Sequence, residues 1–245
     1  DEDFNTLASL GALKNLDMLV GGDKEFDSNV FYSSVYKAGQ YEGSQYALPM
    51  ECNPTLMFVN KTLLQKEGIK VPDNDWTWDD FYDICKTIVK DSDGDGQMDQ
   101  FGCYDYTWLQ AVYSNGITPF NQSGTSSNFL DEKFSQSLEF VKRLEATNRN
   151  YQVTSNDFDL GKVAFRPFTF SDYRTYMPYP WRIKKYSGFE WTCIRMPAGP
   201  SGDNRSEMSA LMAGMSSRTE KKQCAWDFVK LLTTDTDIQK LVYED

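Results

Sequence analysis

The stretch that decides the fold is Tyr46-Ala-Leu-Pro-Met-Glu-Cys-Asn-Pro-Thr-Leu-Met-Phe-Val-Asn-Lys61. It opens with a short extended segment, because Pro49 disfavours the helical conformation in the residue before it. The apolar, β-rich run from Thr55 to Val59 then predicts a buried strand. Lys61 to Glu67 follows with a helical pattern, and Gly68 is suited to cap that helix.

Alternating elements continue on both sides of this stretch. Thr77-Trp-Asp-Asp80 resembles a capping box and predicts the start of a helix that continues through Ile88. We also predict a helix from Glu132 to Ala146, a turn and strand from Gly161 to Phe165, and a helix from Glu220 to Leu232. The alternation of strands and helices predicts an α/β architecture.

The composition excludes several classes of function. The 245 residues carry a formal net charge of -11, so the surface repels nucleic-acid phosphates and anionic membranes. The chain contains no histidine, which removes His-based catalytic triads and His-based zinc sites. Aromatic residues make up 15% of the chain, more than a core of this size needs. We therefore expect some of them in a ligand-binding cleft.

The cysteines and the first residues carry less information. Five cysteines are scattered without a CxxC pair, and an odd number leaves at least one thiol free or paired with another chain. The thiol or disulfide state, and hence the redox compartment, stays open. The chain starts with Asp-Glu-Asp and shows no signal peptide or lipid-attachment motif, so we expect a processed or truncated product.

Five stretches in the same order resemble family 1 of the extracellular solute-binding proteins, the sugar-binding group that includes maltose-binding protein. The resemblance covers nearly the whole chain. It rests on Leu7 to Asp17, on Tyr46-Ala-Leu-Pro with Leu56-Met-Phe-Val-Asn-Lys61, on Gly68-Ile-Lys-Val-Pro72 with Trp78-Asp-Asp-Phe81, on Phe158 to Phe165, and on Ala213-Gly214 through Ala225-Trp-Asp-Phe-Val-Lys-Leu-Leu232.

The resemblance implies a periplasmic-binding-protein type II fold, with two α/β lobes joined by a hinge. It places lobe 2 at residues 50–194 and a partial lobe 1 at residues 1–49 and 195–245. Members of the family begin further upstream and continue further downstream, so we expect lobe 1 to be incomplete and the chain to be a fragment.

The resemblance also implies a function. We expect the substrate-binding component of a carbohydrate ABC importer, which captures a mono- or oligosaccharide in the cleft between the lobes without catalysis. It needs no cofactor, and its partners are the sugar and the ABC permease subunits. The expected form is a monomer, located outside the cell as a surface lipoprotein or in the periplasm.

Sugar binding requires an aromatic plane for stacking and a few fixed polar groups for the hydroxyls. Glu51 and Asn53 directly follow the Ala-Leu-Pro motif, which the resemblance places in the crossover that faces the cleft. For Glu51 the alternative is hinge hydrogen bonding or exposure to solvent. Met212 lies in the second lobe-1 contact segment of the family, where methionine is a departure. The full set of candidates is Glu51, Asn53, Tyr106, Trp108, Asp172, Tyr173, Arg174, Trp181 and Met212.

Trp108 is the first candidate for stacking, because it lies in a polar, loop-flanked segment; the alternative is a core position. Three other tryptophans are predicted to be structural. Trp76 and Trp78 stand at the start of a helix, and Trp226 lies at core spacing in the middle of one.

The acidic loop is a candidate metal site. Asp91-Ser-Asp-Gly-Asp-Gly-Gln-Met-Asp99 follows the first nine positions of an EF-hand loop, with glycine at the sixth. The twelfth position is Gly102 instead of the bidentate glutamate. The predicted ligands of a structural Ca2+ are Asp91, Asp93, Asp95, Gln97 and Asp99. The alternative is a tight, solvated acidic turn, and on either interpretation the loop is structural and distant from the sugar.

Two other functions compete with transport. A carbohydrate-active enzyme needs two facing carboxylates, for which Glu51 and Asp172 could be proposed, although no spacing supports the pair. A sensory or structural module could use the same fold to present a liganded face to a receptor.

Overall fold

The chain divides into two compact units. The computed structural model describes residues 4–121, 125–172 and 188–244, with side chains as far as residue 241. Unit 1 comprises Asp1–Asn53 and Met208–Asp245, and unit 2 comprises Pro54–Glu207. These unit boundaries differ from the predicted lobe boundaries at both junctions, since residues 50–53 lie in unit 1 and residues 195–207 lie in unit 2. The assignment of the two lobes to the two units stays a prediction.

Unit 1 combines short helices, a small hairpin and one pair of long strands. Its helices are α1 (Phe4–Ser9), α2 (Asp17–Gly22), α3 (Ser33–Lys37) and, after unit 2 in the chain, α9 (Lys222–Thr234) and α10 (Thr236–Glu244). Its strands are β1 (Gln40–Tyr41), β2 (Ser44–Gln45), the first part of β3 (Ala47–Asn60) and β7 (Met208–Gly214). β1 pairs with β2 in an antiparallel hairpin, and β7 pairs with β3.

The core of unit 1 forms around Trp226 on α9. Leu16, Leu48, Met215 and Val229 pack with this indole, which is only 1% exposed. The indole nitrogen donates a hydrogen bond of 2.9 Å to the carboxylate of Asp23. The prediction that Trp226 is a packing residue is therefore confirmed.

Unit 2 contains a mixed sheet in the order β4-β5-β3-β6. Its strands are the second part of β3, β4 (Phe101–Cys103), β5 (Val163–Thr169) and β6 (Trp191–Ile194). β4 and β5 are parallel, with Cys103 opposite Phe165. β3 runs antiparallel to both of its neighbours here, so that Phe58 lies between Arg166 on β5 and Cys193 on β6.

β3 is longer than the sequence predicts. We expected a short extended segment from Tyr46 to Met50 and a separate strand from Thr55 to Val59, yet a single strand of 14 residues runs from Ala47 to Asn60. Neighbouring strands explain the difference, because β7, β5 and β6 all pair with it and supply hydrogen-bond partners along its length. Tertiary pairing thus extends a strand beyond its local propensity.

The helices of unit 2 cover the sheet. They are α4 (Lys61–Lys66), α5 (Trp78–Ile88), α6 (Trp108–Ser114), α7 (Glu132–Ala146) and α8 (Ser155–Asp159). The predicted capping box at the start of α5 is confirmed: the hydroxyl of Thr77 accepts from the backbone of Asp80, whose carboxylate accepts from the backbone of Thr77. Trp76 and Trp78 are buried in the core, as predicted, and Trp78 stacks on Phe140 at 4.3 Å between ring centroids. Among the described residues, no helix has both the length and the apolarity needed to cross a bilayer.

Candidate functional site

A groove of about 730 Å3 opens on the surface of unit 2. That volume lies within the usual range of small-molecule sites. The groove is lined by the residues after β4, the start of α6, the C-terminal part of α7 and the loop that follows α7. The lining residues are Cys103, Tyr104, Asp105, Tyr106, Thr107, Trp108, Val141, Lys142, Leu144, Glu145, Ala146, Asn148, Asn150, Tyr151, Gln152 and Val153.

Trp108 provides the aromatic plane of this groove. It is the first residue of α6, and Thr107 caps that helix by donating its backbone N–H to the side-chain oxygen of Gln110 at 2.8 Å. The cap fixes the position of the indole, which is 42% exposed. An exposed tryptophan fixed at a helix start can stack on the apolar face of a ligand ring.

Tyr106 lies only two residues away but belongs to the core. Its side chain is 6% exposed, and its hydroxyl accepts a hydrogen bond of 3.2 Å from the indole nitrogen of Trp78. Burial raises the pKa of this phenol well above its ordinary value, so the hydroxyl stays protonated. Because the ring is enclosed by core residues, we do not retain Tyr106 among the ligand contacts.

The structure adds Tyr151 to the groove, which the sequence did not suggest. Its ring is 43% exposed and stacks on Phe101 with 4.5 Å between centroids. The neighbouring Asn148 lines the same groove, and its Oδ1 atom is buried without a hydrogen-bond partner among the described residues. A buried acceptor without a partner is uncommon in folded proteins.

Unusual backbone conformations concentrate at the groove. Four non-glycine residues of the described chain have positive φ, and three of them line or flank it: Asp105 at 64°, Arg149 at 51° and Asn150 at 65°. Such conformations cost free energy and cluster at ligand sites. In the sequence, Asn-Arg-Asn at 148–150 could have indicated these positive φ angles, because asparagine tolerates the left-handed region.

The acidic loop lies elsewhere in unit 2, between α5 and β4. Asp91, Asp93 and Asp99 each offer a carboxylate oxygen, and these atoms lie within 4.8 Å of one another. The bridge between Lys90 and Gln100 closes the base of the loop. Three carboxylates at this separation repel one another unless a cation neutralises them, so the donor set fits Ca2+.

Asp95, a further predicted ligand, lies outside this group of three. The carboxylate of Asp95 accepts a hydrogen bond of 2.8 Å from the backbone of Gln97. Asp91 accepts backbone hydrogen bonds from Gly96 at 2.8 Å and Gly94 at 2.6 Å, and these bonds hold its pKa below the ordinary value. Both glycines have positive φ, which allows the loop to turn so tightly around Asp91.

The model of the family described as "Bacterial extracellular solute-binding protein" matches residues 2–238. The chain belongs to this family. The resemblance predicted from the sequence is therefore confirmed, and so is the type II periplasmic-binding-protein fold.

Solved structures give the same fold. The ABC substrate-binding protein Lmo0181 from Listeria monocytogenes, in complex with cycloalternan, aligns with a TM-score of 0.72 at 21% identity over 96% of this chain and 60% of that chain. The sugar-binding protein MalE from Xanthomonas citri aligns with a TM-score of 0.72 at 16% identity over 95% and 59%. The GacH receptor of Streptomyces glaucescens, whose structures include a complex with acarbose, aligns at 0.68 and 21% identity over 99% and 61%.

Family membership bears on two further predictions. These relatives are binding proteins and not enzymes, which confirms the prediction of a non-catalytic protein that requires no cofactor. The chain spans about 60% of the length of each of these relatives. The activity, substrate and partners of a full-length family member are therefore only proposed for this chain.

The remaining predicted contacts fall in both units. Glu51 and Asn53 are half-buried on β3, and because they alternate along the strand they share one of its faces. Met212 is half-buried on β7. Asp172 is exposed, and its carboxylate accepts hydrogen bonds from the backbone of Thr169 at 3.1 Å and from its hydroxyl at 2.7 Å. Tyr173, Arg174 and Trp181 lie outside the described residues.

Proposed function

We propose that this chain is the substrate-binding component of a carbohydrate ABC importer and binds a mono- or oligosaccharide without turning it over. The observation that carries the proposal is the family match over residues 2–238, combined with structural relatives solved with bound cycloalternan, mannotriose and alpha-D-tagatose. Proteins of this fold bind varied sugars, which supports a carbohydrate as the class of ligand. Experiment must identify the individual sugar.

The chemistry of the groove on unit 2 supports this ligand class. The exposed indole of Trp108 and the ring of Tyr151 offer aromatic faces for the C–H face of a sugar. Asn148, which lines the same groove, adds a polar amide side chain. We add Tyr151 and Asn148, which line the groove, to the predicted contacts that remain once the buried Tyr106 is set aside. These are Glu51, Asn53, Trp108, Asp172, Tyr173, Arg174, Trp181 and Met212.

The proposal also names partners and a location. The receiving partners are the ABC permease subunits, which take the sugar from the binding protein, and the chain acts as a monomer. It works outside the cell, as a surface lipoprotein or in the periplasm, in agreement with the extracellular character of the family.

A calorimetric titration of the chain with a panel of mono- and oligosaccharides tests the proposal. We expect saturable binding of at least one neutral sugar and no change in that sugar after prolonged incubation. Trp108→Ala should weaken binding at least about fivefold, since a buried aromatic contact contributes more than 1 kcal/mol. Phe120→Ala is the matched control, because Phe120 is 53% exposed in the same unit but does not line the groove.

Three outcomes would overturn the proposal or part of it. The absence of binding across the whole panel would remove the carbohydrate assignment. Release of smaller sugars would favour an enzyme over a transport protein. Equal weakening by Trp108→Ala and Phe120→Ala would remove the groove from the binding surface.

A structural Ca2+ in the acidic loop is a second, separate proposal. Asp91, Asp93 and Asp99 would hold the ion, and water or backbone oxygens would complete its oxygen ligands. The ion would neutralise the loop and join its two ends, which lead from α5 into β4. Its role is to stabilise unit 2.

A further inference from the structure

The groove of unit 2 holds two separate aromatic planes. Trp108 and Tyr151 both line it, and they are 42% and 43% exposed. In the part of the chain that the structure describes, every lining residue lies between Cys103 and Val153, within unit 2. A ligand can therefore reach both rings through unit 2 alone.

Each plane is supported from behind by a buried phenylalanine. The ring of Tyr151 stacks on Phe101 with 4.5 Å between centroids and 18° between the planes, and its hydroxyl donates to Asp157 at 3.5 Å. The indole of Trp108 packs against Phe134 with 5.9 Å between centroids. Because both rings are held in place before a ligand arrives, stacking on them costs little conformational entropy.

Helix α7 separates the two planes. Phe134 lies in the first turn of α7, whereas Tyr151 follows the C-terminal end of this helix, whose last residue is Ala146. The helical rise places Ala146 about 18 Å from Phe134 along the axis. Trp108 therefore stands towards the start of α7 and Tyr151 beyond its end, so that one sugar ring cannot stack on both.

The charged side chains of the groove favour a neutral ligand. Among the described lining residues, Asp105 and Glu145 contribute two carboxylates and Lys142 contributes one ammonium group, all of them exposed. This excess of negative charge repels phosphorylated and carboxylated sugars. The exposed amides of Asn150 and Gln152 can each donate to and accept from sugar hydroxyls.

On the basis of the carbohydrate function proposed above, we propose that the groove selects a neutral oligosaccharide of at least two rings. One ring stacks on Trp108 and another on Tyr151, and the side chains between them pair with the hydroxyls. A monosaccharide meets only one plane at a time, and an acidic sugar meets the excess of carboxylates. Length and charge of the sugar thus decide what the groove retains.

Calorimetric titration of the full chain with sugars of increasing length tests this selection. The probes are neutral saccharides of one to four units built from glucose, mannose, galactose or xylose. In each series that binds, the affinity should rise by about tenfold or more between the monosaccharide and the first oligomer that reaches both rings, because a second stacked contact is added. The 1-phosphate of the disaccharide that binds should bind more weakly than the disaccharide itself, and Glu145→Gln should narrow that difference.

Variants of Tyr151 separate the aromatic plane from the fold. Tyr151→Leu keeps an apolar contact with Phe101 but removes the plane, so the affinity for the oligomer should fall to the level of the monosaccharide. Tyr151→Phe keeps the plane and should keep the dependence on length. Tyr32→Leu is the control, because Tyr32 is 80% exposed and lies in unit 1, and it should change nothing. The circular dichroism spectrum of each variant reports whether the chain still folds.

Failure of this inference can be told apart from failure of the proposed function. Equal affinities for monosaccharides and oligomers, or a folded Tyr151→Leu that retains the dependence on length, would overturn the two-ring groove and leave sugar binding intact. Tighter binding of the 1-phosphate than of the neutral disaccharide would overturn the charge selection. The absence of binding in all four series would remove the carbohydrate function together with this inference.

Discussion

The indole nitrogen of Trp78 donates a hydrogen bond of 3.2 Å to the hydroxyl of Tyr106, inside the core of unit 2. The same N–H lies 3.2 Å from the hydroxyl oxygen of Ser114, so one buried donor has two acceptors. The three side chains are each less than a tenth exposed. This shared hydrogen bond explains why Tyr106 faces inwards while Trp108 faces outwards.

The shared acceptors predict non-additive losses of stability. Tyr106→Phe or Ser114→Ala alone should each cost about 1 kcal/mol of the free energy of unfolding, because the indole keeps one acceptor. The double variant leaves the N–H buried without any partner and should lose about 1–3 kcal/mol beyond the sum of the single losses. Urea unfolding of the four proteins measures this coupling. Strictly additive losses would contradict the shared hydrogen bond.

The capping box at the start of α5 predicts a local loss of stability. The backbone N–H of Asp80 donates to the hydroxyl of Thr77 at 3.3 Å, and the carboxylate of Asp80 accepts a hydrogen bond from the backbone N–H of Thr77. Thr77→Ala should therefore cost about 1 kcal/mol, whereas Thr77→Ser keeps the cap and should cost only a small fraction of that. Urea unfolding measures both values. Equal losses in the two variants would show that the methyl group of Thr77 matters and the hydroxyl does not.

Sequence reasoning succeeded wherever the information was local. The cap at Thr77, the helix from Glu132 to Ala146 and the buried position of Trp226 all follow from residues within a few turns of one another. The fold class followed from motifs in a familiar order. These features depend on spacing, which the printed sequence contains.

The groove was only partly predictable because it is assembled from distant segments. Trp108 stands out as an aromatic in a polar stretch, but Tyr151 and Asn148 reach the groove through the packing of α6 against α7. Nothing local distinguishes the buried Tyr106 from the exposed Trp108, since the difference depends on Trp78 and Ser114. In the acidic loop, the EF-hand spacing identifies the carboxylates, and folding brings three of them together.

The ion pair of Asp23 with Lys230 predicts a pH-dependent contribution to stability in unit 1. Their atoms lie 2.8 Å apart, and the hydrogen bonds from Lys230 and then Trp226 lower the pKa of Asp23 to about 2. Because the folded-state pKa is lowered, the stabilisation is present above the ordinary aspartate pKa and is lost as the pH falls from about 4 to about 2.

The variant Asp23→Asn measures this contribution. Its melting temperature should fall below that of the parent at pH 6, and the gap should close as the pH approaches 2. Glu25→Gln is the matched control: Glu25 lies 3.7 Å from the same lysine but is 88% exposed, so its loss should have little effect. A gap that stays constant between pH 6 and pH 2 would assign the effect of Asp23 to packing instead of charge.

The three carboxylates of the acidic loop predict stabilisation by Ca2+. A ligand that binds only the folded state stabilises it by about 2.7 kcal/mol at a hundred times its Kd. Adding Ca2+ after chelator treatment should therefore raise the melting temperature, and Mg2+ should do so less, since it demands a smaller, octahedral shell. Asp91→Asn and Asp99→Asn keep the local hydrogen-bond acceptors but remove charge, and each should abolish most of the shift.

The matched control for this loop is Asp95→Asn. Asp95 was predicted as a ligand from the EF-hand pattern, yet its carboxylate lies outside the group of three and accepts from the backbone of Gln97. The asparagine can keep that hydrogen bond, so the Ca2+ shift should survive. If Asp95→Asn abolishes the shift as completely as Asp91→Asn does, the loop binds the ion with the full EF-hand set. If Ca2+ produces no shift in the parent protein, the loop is a solvated acidic turn held by the hydrogen bonds of Asp91 to Gly94 and Gly96.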